Sequence, residues 1–341
     1  MLKRGLLVLF FIIIAIALYY TLIPRPTQRL IYFPSSDNPF FEEYLLAQES
    51  PLNSFDMVWF TLFPSKEGWI RVDGYLSKID MIDLAKSNKS EKTRVMVAYG
   101  GERVDEFFTQ IARQANLDKA KLEEIFKQKA KFLEASILAK RYKIPYRIDE
   151  ASVLNYILAD TLVTYKKIAQ KEGIKSDSKE FFKKLIVASI IQKETAYSKE
   201  MPLVASVIYN RLQKDIKLQM DATLNYGKNA HTIITPKLIK EDTSSFNTYK
   251  HKGLPPEPLA IFSLSALKAA FHPTKTNYLY FVKRGNKHSF SSKYLKHKSK
   301  VALYKKRLFV HRFLKKEFRR VAYYTAHKLK PSIFTLYLPI K

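Results

Sequence analysis

The sequence predicts an α+β protein carrying a membrane-spanning helix at its N-terminus. Three observations lead there: an uncharged apolar run over 5–23, short β-branched and aromatic runs broken by turn formers over 24–100, and amphipathic helical stripes from 102 onward. With 341 residues, of which 47% are hydrophobic, the chain can bury more than one core and is expected to divide into domains.

Gly5 to Ile23 reads GLLVLFFIIIAIALYYTLI. At ~1.5 Å per residue this run nearly matches a hydrocarbon layer ~30 Å thick, so one helix is expected to span there. Lys3 and Arg4 precede the run and Pro24 ends it. Basic residues ahead of a first span hold the N-terminus in the cytoplasm, so everything after Pro24 is expected outside. A cleaved signal would show a shorter apolar stretch followed by small residues, whereas this one closes on Tyr19, Tyr20 and Leu22 and reads as an uncleaved anchor. The expected topology is single-pass, with the N-terminus in the cytoplasm and the remainder across the membrane.

Formal net charge is +28, from 59 basic and 31 acidic residues, which favours a polyanionic partner. No recognition-helix, zinc or RNP pattern accompanies the basic residues, and an exported chain does not meet the genome, so nucleic acid is not expected. The chain has no cysteine, which excludes disulfides, thiolate metal sites and thiol nucleophiles. Its seven histidines form no HExxH and no tight helical pair, and read as loop or surface residues. No metal and no cofactor are expected.

The runs RLIYFP, MVWFTLFPS, GWIRVDGYLS and TRVMVAYGG predict a small β-containing unit. Val104, Phe107, Phe108 and Ile111 then fall at helical spacing, and Lys119 to Lys131 continues in a charged helical style. Leu154, Ile157, Leu158 and Leu162 mark another helix, stopped by Gly173 and a polar stretch to Ser178. In KEFFKKLIVASIIQKETA, from Lys179 to Ala196, the positions three, four, seven and eight before Glu194 are Ile191, Ile190, Val187 and Ile186. Glu194 therefore sits on the apolar stripe, while Lys183, Lys184 and Lys193 occupy other faces. A carboxyl held against aliphatic side chains has its pKa raised, as an acid that protonates a glycosidic oxygen near neutrality requires. The alternative is a frayed helix end with Glu194 in water. Polar residues follow closely: Asn210 and Arg211 in PLVASVIYNRL, then Gln219 and Asp221 in LQMDATLNYG, amides and carboxyls of the kind that bind sugars.

The stretch from Ala188 to Gly227, ASIIQKETAYSKEMPLVASVIYNRLQKDIKLQMDATLNYG, resembles the signature of the YceG-like endolytic murein transglycosylases, whose versions read approximately ASIVEKET, VASVFINRL and LQTDPTVIYG. The resemblance continues through SFNTYKHKGLPPEPL, ending at Leu259, and through AAFHPTKTNYLYFV and HSFS. Upstream, LEASILAKRY resembles that family's L-E-G-Y-L-F-P-D-T-Y, keeping Leu133, Glu134 and Tyr142. Two departures stand out: Gln192 replaces an acidic residue and Glu257 a glycine.

The resemblance implies Glu194 as the catalytic acid-base, with Asn210, Gln219, Asp221, Asn247, Tyr249 and Glu134 lining a glycan cleft. It implies a LysM-like α+β region over 24–132, with Gly74, Tyr75 and TRVMVAYGG as its echoes, and a mixed α/β YceG-like catalytic domain over 133–303. Residues 1–4 would be the cytoplasmic N-terminus, 5–23 the anchor and 304–341 a basic amphipathic extension. In that extension Leu308, Phe309, Phe313, Leu314 and Phe318 fall at helical spacing among basic pairs, reading either as a lipid- or partner-docking helix or as a solvated extension packed on the domain. Expected partners are peptidoglycan glycan strands, the membrane and the peptidoglycan synthases. The expected reaction splits the β-1,4 bond between N-acetylmuramic acid and N-acetylglucosamine to leave 1,6-anhydro ends. The rival readings are a muramidase-type hydrolase using Asp221 as a second carboxylate, and an inactive peptidoglycan-binding scaffold.

Overall fold

The structure, a computed structural model, describes residues 2–307 apart from 55, 88, 89, 285, 286 and 305. The basic extension beyond 307 lies outside the described residues. Helix α1 (Leu2–Leu22) is followed by strand β1 (Arg25–Phe33), helices α2 (Phe41–Ala47) and α3 (Met57–Leu62), strand β2 (Gly68–Leu76) and helix α4 (Lys78–Lys86). The expectation of a membrane span meets one finding here. Among the described residues, no helix is long and apolar enough to cross a membrane. The described apolar side chains of α1 from Leu6 to Leu18 are nonetheless exposed.

β1 and β2 pair antiparallel, Ile31 opposite Ile70. Alternation sends Ile31 and Phe33 to one face, where they meet Phe41, Leu45, Phe60 and Val72 in a small core. It sends Leu30 and Trp69 to the other face, against the next layer. The MVWFTL run, grouped by composition with the β-rich runs, is helical. Asn53 N–H donates to Asp56 and Asp56 N–H back to Asn53 O, starting a turn. Asp56 is then held by a buried 2.7 Å ion pair to Lys78, and one helical turn later Phe60 enters the core. Tertiary pinning overrides aromatic β-propensity at this point.

The middle layer holds β3 (Thr93–Val97), α5 (Val104–Ala115), α6 (Lys119–Lys129), β4 (Leu138–Ala139), β5 (Arg141–Pro145) and α7 (Glu150–Lys171). β3 pairs antiparallel with β5. Phe107, Phe108 and Ile111 of α5 pack with Leu122 and Phe126 of α6 and with Val153, Leu154 and Ile157 of α7. Leu162, placed on that stripe by spacing, is exposed instead, because the later turns of α7 bury Thr161, Val163 and Tyr165.

The third core surrounds α8 (Lys179–Glu194), capped at its start by Ser178, whose Oγ accepts from Phe181 N–H. Around it lie α9 (Met201–Gln213), α10 (Asp221–Leu224), α11 (Pro236–Glu241), β6 (Phe262–Ser263) and α12 (Leu264–Phe271), then the hairpin of β7 (Tyr280–Arg284) and β8 (Lys287–Ser291). β6 pairs parallel with β4. Residues 294–304 are helical. Every residue of α8 from Leu185 to Gln192 is buried. Such a helix needs internal partners for any polar group it carries, and Ser189 meets this by donating to Ile186 O and accepting from Leu259 N–H at 3.0 Å. That bond ties the end of the GLPP loop to α8.

Ser189→Ala strands the Leu259 N–H in a dry interior. Denaturant unfolding is expected to show a loss of about 1–3 kcal/mol. A change below about 0.5 kcal/mol would mean that the loop is not held through this bond.

Candidate active site

Glu194 is the last residue of α8, with Thr195 already extended at φ −148°. The aliphatic stripe behind it, Ile186, Val187, Ile190 and Ile191, is fully buried, and its own Oε1 is buried without a hydrogen-bond partner. Burial pushes the carboxyl up to about 7; the charge of Asp221 acts in the same direction, against the Ala222 N–H and Lys193. The C-terminal end of a helix also carries partial negative charge, which disfavours a carboxylate there.

Two cavities meet at this residue. One, of 340 Å³, is bounded by Arg211, Gln219, Tyr249, Tyr280 and His297. The other, of 470 Å³, is bounded by Gly100, Gly101, Lys193 and Asn225. Glu194 and Asp221 line both. The wall at Gly100 and Gly101 depends on glycine twice. A Cβ at Gly100 would come within 2.6 Å of the Gln192 amide, and Gly101 has φ +98°. Gln192, the departure from the family's acidic residue, accepts from Ser263 N–H at 2.9 Å and anchors the start of α12.

The remaining expected residues fall into two groups. Gln219, Asp221 and Tyr249 line the first cavity with Glu194. The Tyr249 hydroxyl donates to Asp221 Oδ1 at 2.6 Å, and burial together with that carboxylate holds the phenol protonated. Gln219 sits at φ 51°, fixed by its N–H to Thr248 O and by Arg211 Nη1 donating to its Oε1. Asn210 and Asn247 line neither cavity. The Asn210 amide donates to the carbonyls of Thr276 and Tyr278. The fully buried Asn247 amide donates to Ile239 O and Asp242 O and accepts from Tyr249 N–H. Both hold backbone, and Asn247 sets Tyr249. Glu134 is buried at the start of α5, accepting from Val104 N–H at 2.9 Å, and lines a third, apolar cavity with Arg103 and Tyr226. Burial pushes its carboxyl up to about 7.

Arg211, quoted in the NRL motif but not assigned to the site, is the main brace of the first cavity. Its Nε donates to Leu279 O and its Nη1 to Lys217 O and Leu218 O, with the guanidinium over the Tyr280 ring at 5.0 Å. Its signal in sequence was an arginine inside an otherwise apolar helix. Two histidines also depart from a surface reading. His297 stacks on Tyr280 with its Nδ1 buried and unpartnered, and His288 joins the buried Glu200 at 2.9 Å. Nothing in local periodicity marks either one. Among the described residues, no group of three or more His, Cys, Asp or Glu could hold a metal ion.

The fold and site together define an α+β protein with one poorly hydrated carboxyl at the junction of two cavities. A family model described as the YceG-like family matches residues 44–303, and the chain belongs to that family. A curated relative in Bacillus subtilis (strain 168), an endolytic murein transglycosylase, is 38% identical over 133 residues, 38% of this chain and 36% of that protein. One of the same name in Streptococcus pneumoniae serotype 2 is 33% identical over 144 residues, 40% of this chain and 26% of that protein. The matches thus span about a third of these relatives or less. A crystal structure of a yceG-like protein from Listeria monocytogenes shares the fold, with a TM-score of 0.51 and 23% identity over 80% of this chain and 98% of that one.

A carboxyl whose folded pKa lies above its ordinary 4.5 favours the folded state fully below that value, and this contribution is lost as pH rises through about 7. Glu194→Gln is therefore expected to melt above the wild type at pH 7–8 and level with it near pH 4. Equal melting temperatures at both pH values would show the carboxyl to be solvated.

Proposed function

We propose that this chain is an endolytic peptidoglycan lytic transglycosylase, with Glu194 acting first as general acid and then as general base. One observation carries the reading: a buried, unpartnered carboxyl oxygen at a point from which cavities extend in two directions, on a group that burial raises to about 7. A strand lying across both would present an internal bond to Glu194, which is the requirement for cutting within a chain. The relatives named as endolytic murein transglycosylases support the same substrate.

In this mechanism the Glu194 proton passes to the oxygen joining C1 of N-acetylmuramic acid to the next sugar, and that bond breaks. The C6 hydroxyl of the same muramic acid attacks C1, and its proton returns to Glu194. The products are a 1,6-anhydro end and a new 4-hydroxyl end, with the acid regenerated and no water consumed. Asp221 supports the first step by keeping Glu194 protonated and the second by placing negative charge near the cationic sugar. Tyr249 and Gln219 would contact the glycan, while Asn210, Asn247 and Glu134 act on the backbone that shapes the cleft.

The chain is read as a single-pass inner-membrane protein with its N-terminus in the cytoplasm. This rests on the uncharged run from Gly5 to Ile23 and on the exposed apolar side chains of α1, which among the described residues join none of the three cores. The α+β unit built on β1 and β2 stands where a LysM-like glycan-binding module is expected, and a cutter of nascent strands would work beside the peptidoglycan synthases.

Glu194→Gln is expected to keep fold and glycan binding while lowering cleavage of purified sacculi at least ~10³-fold. Mass analysis of wild-type products is expected to find anhydro ends. Reducing ends would instead assign Asp221 to water activation, and an active Glu194→Gln would remove the acid from this residue. Cleavage is expected to fall as pH rises through about 7, with loss of the protonated acid. Removal of residues 1–23 is expected to move the protein from the membrane fraction to the soluble one; retention in the membrane would place the anchor elsewhere.

A further inference from the structure

Lys193 precedes Glu194 on the last turn of α8, and the acid–base steps make no use of it. Its side chain is half-buried and lines the 470 Å³ cavity with Gly100, Gly101, Asp221 and Asn225. Among the described residues it makes no hydrogen bond or ion pair. Of the acids around it, Glu106 bonds Arg103 N–H and His231, Glu134 bonds Val104 N–H and Asp221 takes the Tyr249 hydroxyl, while its neighbour Glu194 is pushed toward its neutral form by burial and makes no hydrogen bond to it. The positive charge of Arg103 acts on it as well, against its protonated form. Burial holds the ammonium below the ordinary lysine range.

A cation partly out of water and without a hydrogen-bonded counter-ion is costly unless a ligand supplies an anion. The cavity has room for one, because a Cβ added at Gly101 would meet nothing within 4 Å. The hydroxyls and acetamides of the glycan are neutral. Its carboxylates belong to muramic acid alone, on the lactyl ether itself or on the stem peptide attached there.

We infer that Lys193 is a specificity-determining residue that binds a carboxylate of the muramic acid unit lying in the Gly100 cavity, an assignment that rests on the glycan-cleaving reading of this site. A charge-assisted N–H···O bond in a half-dry cavity is about twice as strong as a neutral one and is directional enough to set which sugar faces Glu194. The groove then distinguishes muramic acid from glucosamine by charge as well as by shape. The Glu194 chemistry follows from that register, since only a unit placed correctly offers its own C6 hydroxyl beside the breaking bond.

The test uses the full chain in detergent carrying Glu194→Gln, so that binding is measured without cleavage. Four probes are titrated: denuded glycan strands with free lactyl carboxylates, the same strands methylamidated, stem-bearing strands, and a chito-oligosaccharide. Adding Lys193→Met is expected to weaken binding of carboxylate-bearing strands about tenfold and to leave the two neutral probes unchanged. Unchanged binding of the neutral probes shows that the methionine variant is folded, and Lys193→Arg is expected to restore most of the loss. Loss on denuded strands assigns the lactyl carboxylate; loss confined to stem-bearing strands assigns the stem. Equal loss on neutral and charged probes, or none on either charged strand, overturns the proposal. Cleavage by Glu194→Gln would overturn the acid assignment instead, and the binding comparison would still stand, so the two failures are distinguishable.

Discussion

Desolvation of the Glu194 carboxyl at the end of a helix buried from Leu185 to Gln192 sets what the surrounding structure has to do. The stripe of Ile186, Val187, Ile190 and Ile191 gains free energy by leaving water, and carries the carboxyl with it. No donor within hydrogen-bonding distance compensates Oε1, and burial raises the carboxyl to about 7, so that a large share of it stays protonated near neutrality. Keeping such a group requires a helix that cannot fray. The Ser178 cap at its start and the Ser189 and Gln192 side chains along its length provide that rigidity by bonding neighbouring backbone.

The polar residues around the site divide by what they face. Asn210, Arg211 and Asn247 spend their donors on main-chain carbonyls, which fixes the segments carrying Gln219, Asp221 and Tyr249. Those three turn toward the cavity. A rigid scaffold of buried amides and a guanidinium therefore holds a small set of exposed acceptors and hydroxyls in place, the arrangement expected where geometry must be kept without a ligand present. Arg211 contributes twice, because its guanidinium also supports the Tyr280 ring and, through it, His297.

Much of this was legible in the chain because it depends on short-range periodicity. The α8 stripe places Glu194 on the apolar face by counting alone, and the helices over Val104–Ala115 and Glu150–Lys171 follow from the same spacing. Other features resisted because long-range partners decide them. The MVWFTL run is helical through the Asp56–Lys78 ion pair, and Leu162 is exposed because α7 is packed on more than one side. Asn210 carries an amide suited to sugar, yet its partners are the carbonyls of Thr276 and Tyr278, distant in sequence; Asn247 turns instead to the nearby carbonyls of Ile239 and Asp242, which only the folded loop brings to it. A side chain's chemistry says what it can bond; its neighbours decide what it does bond.

The sequence by itself determined the α+β class, the family motifs in order, the apolar setting of Glu194 and the uncharged N-terminal run, since each is a pattern of residue types along one line. Tertiary structure alone decided that two cavities meet at Glu194, that Asp221 reinforces its protonated state, that Glu134 lines a separate apolar cavity, and that Lys193 and His297 come to the groove. The physical reason is that burial and electrostatic coupling depend on distances through space. Those distances arise only when segments as far apart as Gly100, Glu194, Asp221 and Tyr280 pack around one helix end.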